Sequence, residues 1–118
     1  MEKIYCDREK EHLASVDRAK EGILSENDVE RICKIFRLLS EPSRTKIVLA
    51  LLNGEMCVYH LTEFCGGTVS AVSHQLRILR DNGIVKAKRY GKNVEYSIAD
   101  MHVEKIISMG IAHLACEE

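Results

Sequence analysis

Histidine, cysteine and carboxylate side chains lie at the two ends of the last segment of the chain. Asp100 and His102 begin this segment, and His113, Cys116 and Glu117 end it. Imidazole nitrogens, carboxylate oxygens and thiolates are the usual ligands of zinc and related divalent ions. Two imidazoles with a carboxylate favour zinc or cobalt, whereas a thiolate shifts the preference toward zinc and cadmium. The residue types therefore indicate a transition-metal site.

The spacing of the two histidines limits how such a site forms. Eleven residues of helix make about three turns plus 20°, so His102 and His113 share a face. They lie about 16 Å apart along the axis, whereas metal–nitrogen bonds measure about 2 Å. One helix cannot close a site with both, but an antiparallel copy related by a two-fold axis can. Each site would take Asp100 and His102 from one chain, and His113 with Cys116 or Glu117 from the other.

The segment that carries these residues reads as a helix from Asp100 to Ala115. Asp100 suits the N-cap position, which by itself explains the carboxylate, just as solvation explains a single surface histidine. The apolar residues of this segment share one face: Val103, Ile106, Ile107, Gly110, Ile111 and Leu114. A terminal helix with an unmatched apolar face predicts a contact surface between two copies of the chain.

The stretch from Thr68 to Asn82 predicts a helix with different surface chemistry. Thr68 follows a Gly-Gly turn and suits an N-cap. Apolar residues recur at helical spacing and predict a buried stripe of Val72, Leu76 and Leu79. Besides Thr68, the polar groups that would contact DNA are Ser70, Ser73, His74, Gln75, Arg77 and Arg80. Such groups suit a helix in a major groove, where they meet phosphates and base edges. Taken alone, an ordinary amphipathic surface helix explains this stretch equally well.

A basic hairpin follows this helix. Asn82-Gly83 ends the helix, and the residues from Ile84 to Ile98 read as two short strands around Tyr90-Gly91-Lys92-Asn93. Its cations are Lys86, Lys88, Arg89 and Lys92, and we expect the last three to contact DNA. A helix, a turn, a second helix and a basic hairpin in this order predict a winged helix-turn-helix.

The sequence SAVSHQLRILRDNGIVKAKRYGKNVEYSI, with LSEPSRTKIVLALLNGE before it, resembles the ArsR/SmtB family of bacterial metal-sensing repressors. The resemblance runs from about Glu41 to the C-terminus. It implies a homodimer that binds double-stranded operator DNA without metal and releases it when zinc or a similar ion binds. It also implies a zinc site on the C-terminal helix, made of an Asp, two His and a fourth Glu or His. Cys116 stands at the fourth position here, with Glu117 as the alternative, and Val69 replaces a Gln of many members.

A second cysteine–histidine group lies in the sequence GEMCVYHL. The resemblance implies a thiolate site at this point, because the family's cadmium, lead and arsenic sensors carry Cys-Val-Cys here. The chain keeps Cys57 but has Tyr59 at the second cysteine position, and His60 replaces an Asp ligand of some zinc members. In the family, the other subunit's N-terminal segment adds ligands, which Cys6 and His12 would supply. These four residues form a possible second metal site.

The formal net charge of −1 is unusual for a DNA-binding protein, but the charges are unevenly distributed along the chain. Residues 69–97 carry six cations against two carboxylates, a balance of +4, so the rest of the chain carries −5. A basic face on an acidic body suits DNA, because phosphates meet only the local field.

The length of 118 residues predicts one domain over 1–118. Within it we expect an N-terminal arm and helix at 1–24, a helix-turn-helix at 58–82, a wing at 84–98 and a dimer and metal helix at 100–116. No apolar run could span a bilayer and no signal peptide is evident, so a cytoplasmic protein without a membrane partner is expected. The five cysteines are irregularly spaced, which argues against a disulfide framework, and Cys33 and Cys65 suit buried structural roles.

The upstream segments predict supporting helices, so the fold is mainly α with a small β-hairpin. The residues from Asp7 to Lys20 form a polar helix whose thin apolar edge, Leu13 and Val16, suits packing on a second subunit. A helix at about 26–39, capped by Ser25, carries a buried stripe of Val29, Ile32, Cys33, Phe36 and Leu39. Pro42 begins a third helix, with core residues Ile47, Val48, Ala50, Leu51 and Leu52. A short helix, Val58 to Phe64, precedes the Gly-Gly turn.

These observations predict a dimeric, metal-responsive transcriptional repressor rather than an enzyme. Its expected effector is Zn(II), with Co(II) or Cd(II) as alternatives, and no small organic substrate is expected. Two alternatives keep the DNA-binding role: a switch by oxidation of Cys57, Cys6 or Cys116, and a thiolate-site cadmium or lead sensor. A zinc hydrolase is disfavoured, because the sequence lacks HExxH-type spacing and an obvious general base.

Overall fold

The computed structural model describes residues 6–22 and 25–116. In chain order its elements are α1 (Glu9–Gly22), α2 (Glu26–Leu39), α3 (Pro42–Leu51), β1 (Met56–Cys57), α4 (Val58–Cys65), α5 (Val69–Asp81), β2 (Val85–Tyr90), β3 (Asn93–Ile98) and α6 (Met101–Ala115). The described residues up to Lys34 form one compact unit, and those from Ile35 onward form another. Within the two described ranges, each helix is too short or too polar to cross a membrane.

The N-terminal unit contains helices with little apolar burial. α1 has no buried residue, and the side chains of Leu13 and Val16 are exposed. Ser25 caps α2 as predicted, because its Oγ accepts a hydrogen bond from the Asp28 N–H at 3.1 Å. The isolated chain therefore leaves the thin apolar edge of α1 uncovered, as its composition suggested.

The predicted buried stripe of α2 is wrong for the single chain. Of its members, Leu39 alone is buried, while Val29, Ile32 and Phe36 are exposed. Cys33 is also exposed, so its predicted burial is wrong as well. Helical periodicity identifies a face that requires cover, but it does not say whether the same chain supplies that cover.

The core of the second unit receives buried residues from α2, α3, α4, α5, β2 and α6. Glu41 caps α3 by accepting the Arg44 N–H at 3.1 Å, and Pro42 occupies the first turn, where its missing N–H costs nothing. The buried hydrophobic residues are Leu39, Ile47, Val48, Ala50, Leu51, Leu61, Val72, Leu76, Leu79, Ile84, Val85 and Val103. Leu52, expected in this core, is half-buried because it lies at the C-cap of α3.

The second unit also contains a three-stranded antiparallel sheet in the order β1-β3-β2, with β1 before α4 and the other two strands after α5. β2 and β3 form the predicted hairpin, with Tyr90 opposite Asn93 and Gly91 in the turn at a φ of 60°. That φ favours glycine, because a Cβ is strained in the left-handed region. The sequence did not indicate β1, whose two residues pair with Tyr96 and Glu95.

α6 begins at its cap, Asp100, and contacts the core mainly through its first half. Val103 is buried, and Ile107 is half-buried against the core cluster. The remaining apolar residues of this helix are exposed: Met101, Ile106, Met109, Ile111 and Leu114. The prediction of an unmatched apolar face on α6 is confirmed for Ile106, Ile111 and Leu114, but it is wrong for Val103 and Ile107, which pack against the core of the same chain.

Candidate DNA-binding surface and metal-ligand residues

α5 presents the polar face expected of a DNA-reading helix. Thr68 is its N-cap, with Oγ1 accepting the Ala71 N–H at 3.1 Å. The predicted stripe is buried against the core and consists of Val72, Leu76 and Leu79. Facing away from it, exposed hydroxyl, imidazole and guanidinium groups belong to Ser70, Ser73, His74, Arg77 and Arg80. Local sequence therefore positions these side chains, because the stripe fixes how the helix is rotated about its axis.

Gln75 lies on the flank of α5 rather than on this outer face. It is half-buried, and its Oε1 accepts a hydrogen bond from Arg44 Nη1 at 3.3 Å. Arg44 Nε also donates to the Leu38 carbonyl at 2.9 Å. One guanidinium thus joins the end of α2 to the middle of α5. Arg44 is not among the predicted functional residues, because its partners lie 6 and 31 residues away and no local pattern connects them.

The wing carries exposed cations at the end of β2 and in the turn that follows it. Lys88, Arg89 and Lys92 are all exposed. The Lys88 ammonium lies 5.0 Å from the centre of the Tyr90 ring, within the range of a cation–π contact. This contact holds one lysine along β2 while leaving its charge accessible to a phosphate.

A cleft of about 360 Å³ lies between α5 and the wing. Its lining residues are Ser73, Leu76, Arg77, Arg80, Asp81 and Tyr96. The two guanidinium groups outnumber the single carboxylate, so the cleft has a net positive lining. Arginine matches phosphate with several N–H donors, which makes this cleft suited to the DNA backbone.

Asp100 and His102 are adjacent at the start of α6. Asp100 Oδ1 accepts the His102 N–H at 2.7 Å and lies 3.0 Å from His102 Nδ1. The hydrogen bond from the His102 N–H, followed by smaller contributions from the His102 side chain, lowers the pKa of Asp100. The His102 side chain is 85% exposed, so both groups are accessible to an ion. The carboxylate–imidazole chemistry of this pair fits one half of a zinc-type site.

The other predicted ligands lie at the far end of the same helix. His113 is in the last turn of α6, and Cys116 is its exposed C-cap residue. Glu117 lies outside the described residues. Within the part of the chain that is described, no three histidine, cysteine or carboxylate side chains gather to hold a metal. A complete four-ligand site stays a prediction, and it requires a second chain.

The two halves of the second predicted site each contain a cysteine–histidine pair. Cys6 Sγ lies 3.0 Å from His12 Nδ1 in the N-terminal unit. Cys57 Sγ lies 3.3 Å from His60 Nδ1 in the other unit. Glu95 pairs with Cys57 across β1 and β3, and it lines the same cleft of about 470 Å³ as Cys57 and His60. Glu95 is not among the predicted ligands, because only the pairing of β1 with β3 brings it beside Cys57.

Known proteins share this arrangement of helices and wing. The model of a family described as bacterial regulatory protein, arsR family, matches residues 41–87, which include α3, α4 and α5. The transcriptional repressor SmtB homolog of Synechocystis sp. is 38% identical over 109 residues, covering 92% of this chain and 83% of that relative. The chain belongs to the ArsR/SmtB family. The predicted resemblance is therefore confirmed.

Two further comparisons agree with membership of the ArsR/SmtB family. The cadmium resistance transcriptional regulatory protein CadC homolog of Staphylococcus aureus is 34% identical over 114 residues, covering 96% of this chain and 93% of the relative. The solution structure of apo-NmtR is 37% identical with a TM-score of 0.68, covering 78% of this chain and 77% of that one. The fold is thus a winged helix-turn-helix, and the ArsR/SmtB family consists of DNA-binding transcriptional regulators rather than enzymes.

Proposed function

We propose that this regulator is a homodimeric repressor that binds operator DNA without metal and releases it when zinc or a similar divalent ion binds. The observation that carries the proposal is the distribution of ligands on α6. Asp100 and His102 are paired at its start, whereas His113 and Cys116 lie about 16 Å further along the axis, at 1.5 Å per residue. A two-fold related copy of α6 would bring the two half-sites together twice.

The exposed apolar face of α6 supports the dimer. Ile111 is 46% exposed and Leu114 is 66% exposed in the single chain, although both fall on the apolar stripe. The exposed edge of α1 and the exposed α2 stripe are further apolar surface. Exposed apolar surface of this kind marks protein–protein contacts, and a symmetric dimer would use the same surface on both chains.

The metal would act through the dimer geometry rather than at the DNA. An ion held by both chains fixes the two α6 helices relative to each other, and thereby the spacing of the two α5 helices. Release follows if the metal-bound spacing fits adjacent major grooves less well than the metal-free spacing. A coupling free energy of about 1–3 kcal/mol is enough for a 5- to 150-fold change in DNA affinity. The similarity to the cadmium resistance regulator CadC homolog supports a metal effector.

A metal titration tests this function. Purified protein first selects a high-affinity duplex from a random library in metal-free buffer, and binding to that duplex is followed while zinc, cobalt, cadmium or lead is added. We expect zinc or cobalt to weaken binding at near-stoichiometric concentration, and the cobalt spectrum to report thiolate ligation by Cys116. Unchanged DNA affinity at saturating concentrations of all four ions would contradict the proposal.

A second candidate keeps the DNA-binding role and uses Cys57 as the sensor. The Cys57 Sγ to His60 Nδ1 distance of 3.3 Å supports either a thiolate metal site, extended by Cys6 and His12 of a partner, or a redox-sensitive thiol. Operator affinity that changes with reductant in metal-free buffer, and no longer does so in Cys57→Ser, would favour oxidation. If cadmium or lead no longer releases DNA from Cys57→Ser but still releases it from His102→Ala, the thiolate site is favoured.

A further inference from the structure

A second cleft lies on the flank of α5 opposite the α5–wing cleft. This α3–α5 cleft has a volume of about 250 Å³ and is lined by Ser43, Lys46, Ile47, Cys65, Gly66, Gly67, Ala71, Val72 and Gln75. Among these described residues there is no carboxylate, and Lys46 supplies the only cation. The cleft is therefore positive, as is its counterpart beside the wing.

Arg44 determines which way the Gln75 amide faces. A guanidinium has only N–H donors, so the atom of Gln75 that meets Arg44 Nη1 must be the oxygen, at 3.3 Å. The Gln75 amide nitrogen is then left with two N–H donors, and Gln75 lines the cleft. Arg44 itself is held by the Leu38 carbonyl, which keeps this orientation fixed.

Lys46 lines the cleft, and within the described ranges its charge has no ion-pair partner. The described residues include no carboxylate within salt-bridge distance of Lys46. Burial raises the pKa of the Cys65 thiol, and the nearby Lys46 ammonium partly offsets this rise. Lys46 and Cys65 line the same cleft, so a phosphate bound there would be attracted by the Lys46 charge.

The Gly66-Gly67 turn leaves the mouth of the cleft open. Both residues have positive φ values, 80° and 82°, which favour glycine. No atom lies within 4 Å of the position that a Cβ would occupy at either residue, so the surrounding space is open. A ligand as extended as a nucleic-acid backbone can therefore approach the lining from outside.

We propose that the α3–α5 cleft binds a phosphodiester of the DNA backbone through the Lys46 ammonium, the Ser43 hydroxyl and the Gln75 amide. The inference rests on the DNA-binding role of α5 and adds α3 to the contact surface. A helix in the major groove lies between two phosphate backbones, because the groove is about 12 Å wide. Arg77 and Arg80 face one flank, and Lys46 faces the other. Each flank of α5 thus has a cationic cleft for one strand.

The first test removes the lysine charge in metal-free protein. Lys46→Gln is compared with Lys105→Gln, which removes an exposed charge from α6, and with Lys46→Arg, which keeps the charge. Binding is measured across salt concentrations for the selected duplex and for a mixed-sequence duplex. We expect Lys46→Gln to weaken both severalfold and to lower the salt slope by about one unit per subunit. Behaviour equal to that of Lys105→Gln, or a loss confined to the selected duplex, would overturn the proposal.

The second test changes Gln75 without removing its contact with Arg44. Gln75→Glu keeps an oxygen for Arg44, but it replaces the amide donors with a negative charge. It should weaken binding to both duplexes severalfold while leaving the thermal unfolding midpoint unlowered, since the ion pair is at least as strong as the neutral contact. Wild-type affinity in Gln75→Glu would exclude a phosphate from this cleft.

The third test replaces single charged phosphates of the DNA by an uncharged group, which shows which phosphate the cleft contacts. Single methylphosphonate groups placed along the selected duplex should weaken wild-type binding at every contacted phosphate, and at one position per half-site they should weaken Lys46→Gln much less than the wild type. If no position distinguishes the two proteins, while inorganic phosphate shifts the amide resonances of Gly66 and Gly67, the cleft binds a free anion and the proposal fails. All of these assays omit metal, so they stay separate from the metal titration. Failure of that titration leaves the phosphate contact intact.

Discussion

The Asp100 carboxylate caps α6 and also lies beside the His102 imidazole. Its Oδ1 accepts the His102 N–H at 2.7 Å, which explains why an aspartate stands there even without metal. The same hydrogen bond, more than the His102 side chain, lowers the pKa of Asp100, so the carboxylate is ionised at neutral pH. Zinc binds carboxylate oxygens and imidazole nitrogens, so an ionised carboxylate beside an imidazole provides two neighbouring ligands.

The two roles of Asp100 can be separated by substitution. Asparagine caps a helix as well as aspartate does but lacks the negative charge, whereas alanine supplies neither. We expect Asp100→Asn to unfold at the wild-type temperature while binding zinc at least tenfold more weakly. Asp100→Ala should lose both properties. Calorimetry and a chelator-competition titration measure the two effects. Wild-type zinc affinity in Asp100→Asn would remove Asp100 from the proposed ligands.

At the scale of the element, α5 and the wing were predictable from sequence because their signals are local. The N-cap of α5, Thr68, bonds to an N–H only three residues further along the chain. The buried residues Val72 and Leu76 recur at helical spacing. β1 was missed, because two residues show no alternation and Met56 gains its strand only by pairing with Tyr96. The Arg44 contact with Gln75 was missed for the same reason, since only the tertiary fold brings them together.

The exposed face of α5 should read DNA sequence. Ser73→Ala, His74→Ala and Arg77→Ala remove exposed groups without disturbing the buried stripe, so the fold and any dimer should persist. Each substitution should weaken binding to the selected duplex by about 1–3 kcal/mol for a lost base contact, and less for a lost phosphate contact. Binding is measured by fluorescence anisotropy, with sedimentation to confirm the dimer. Wild-type affinity in all three variants would rule out α5 as the reading helix.

At the scale of the whole molecule, the apolar surface left on α6 requires a partner. Ile107 packs against the core of its own chain, so its substitution would destabilise the fold as well as any dimer, and the two effects could not be separated. Ile111 and Leu114 are exposed in the single chain and offer a cleaner test. Ile111→Asp should leave the helical circular dichroism unchanged and convert the dimer to a monomer at micromolar concentration, because a charge would be buried unpaired in the interface.

Lys105→Gln serves as a control on the same helix, because it changes an exposed charge and should remain dimeric. Analytical ultracentrifugation after chelation measures both variants together with the wild type. The dimer is expected to persist without metal, since apolar burial rather than the ion holds it together. A wild-type protein that sediments as a monomer after chelation would show instead that assembly depends on metal.

The proposed metal sites depend on the dimer, and mixed dimers can reveal this. Each site would combine His102 of one chain with His113 of the other, because about 16 Å of helix separates the two residues, at 1.5 Å per residue. A His102→Ala homodimer lacks one ligand in both sites, and so does a His113→Ala homodimer. In the heterodimer of the two variants, one site lacks both histidines while the other keeps a complete ligand set.

Mixing two metal-deficient variants should therefore restore about one tight zinc site per heterodimer. The two proteins, carrying different affinity tags, are allowed to exchange subunits, and the doubly tagged species is isolated and titrated with zinc against a competing chelator. A site built within one chain predicts no recovery, because each chain remains defective on its own. Release of DNA should recover only in part, since one filled site constrains the paired α6 helices less than two do. If verified heterodimers bind zinc as weakly as either parent, the ligands do not come from two subunits.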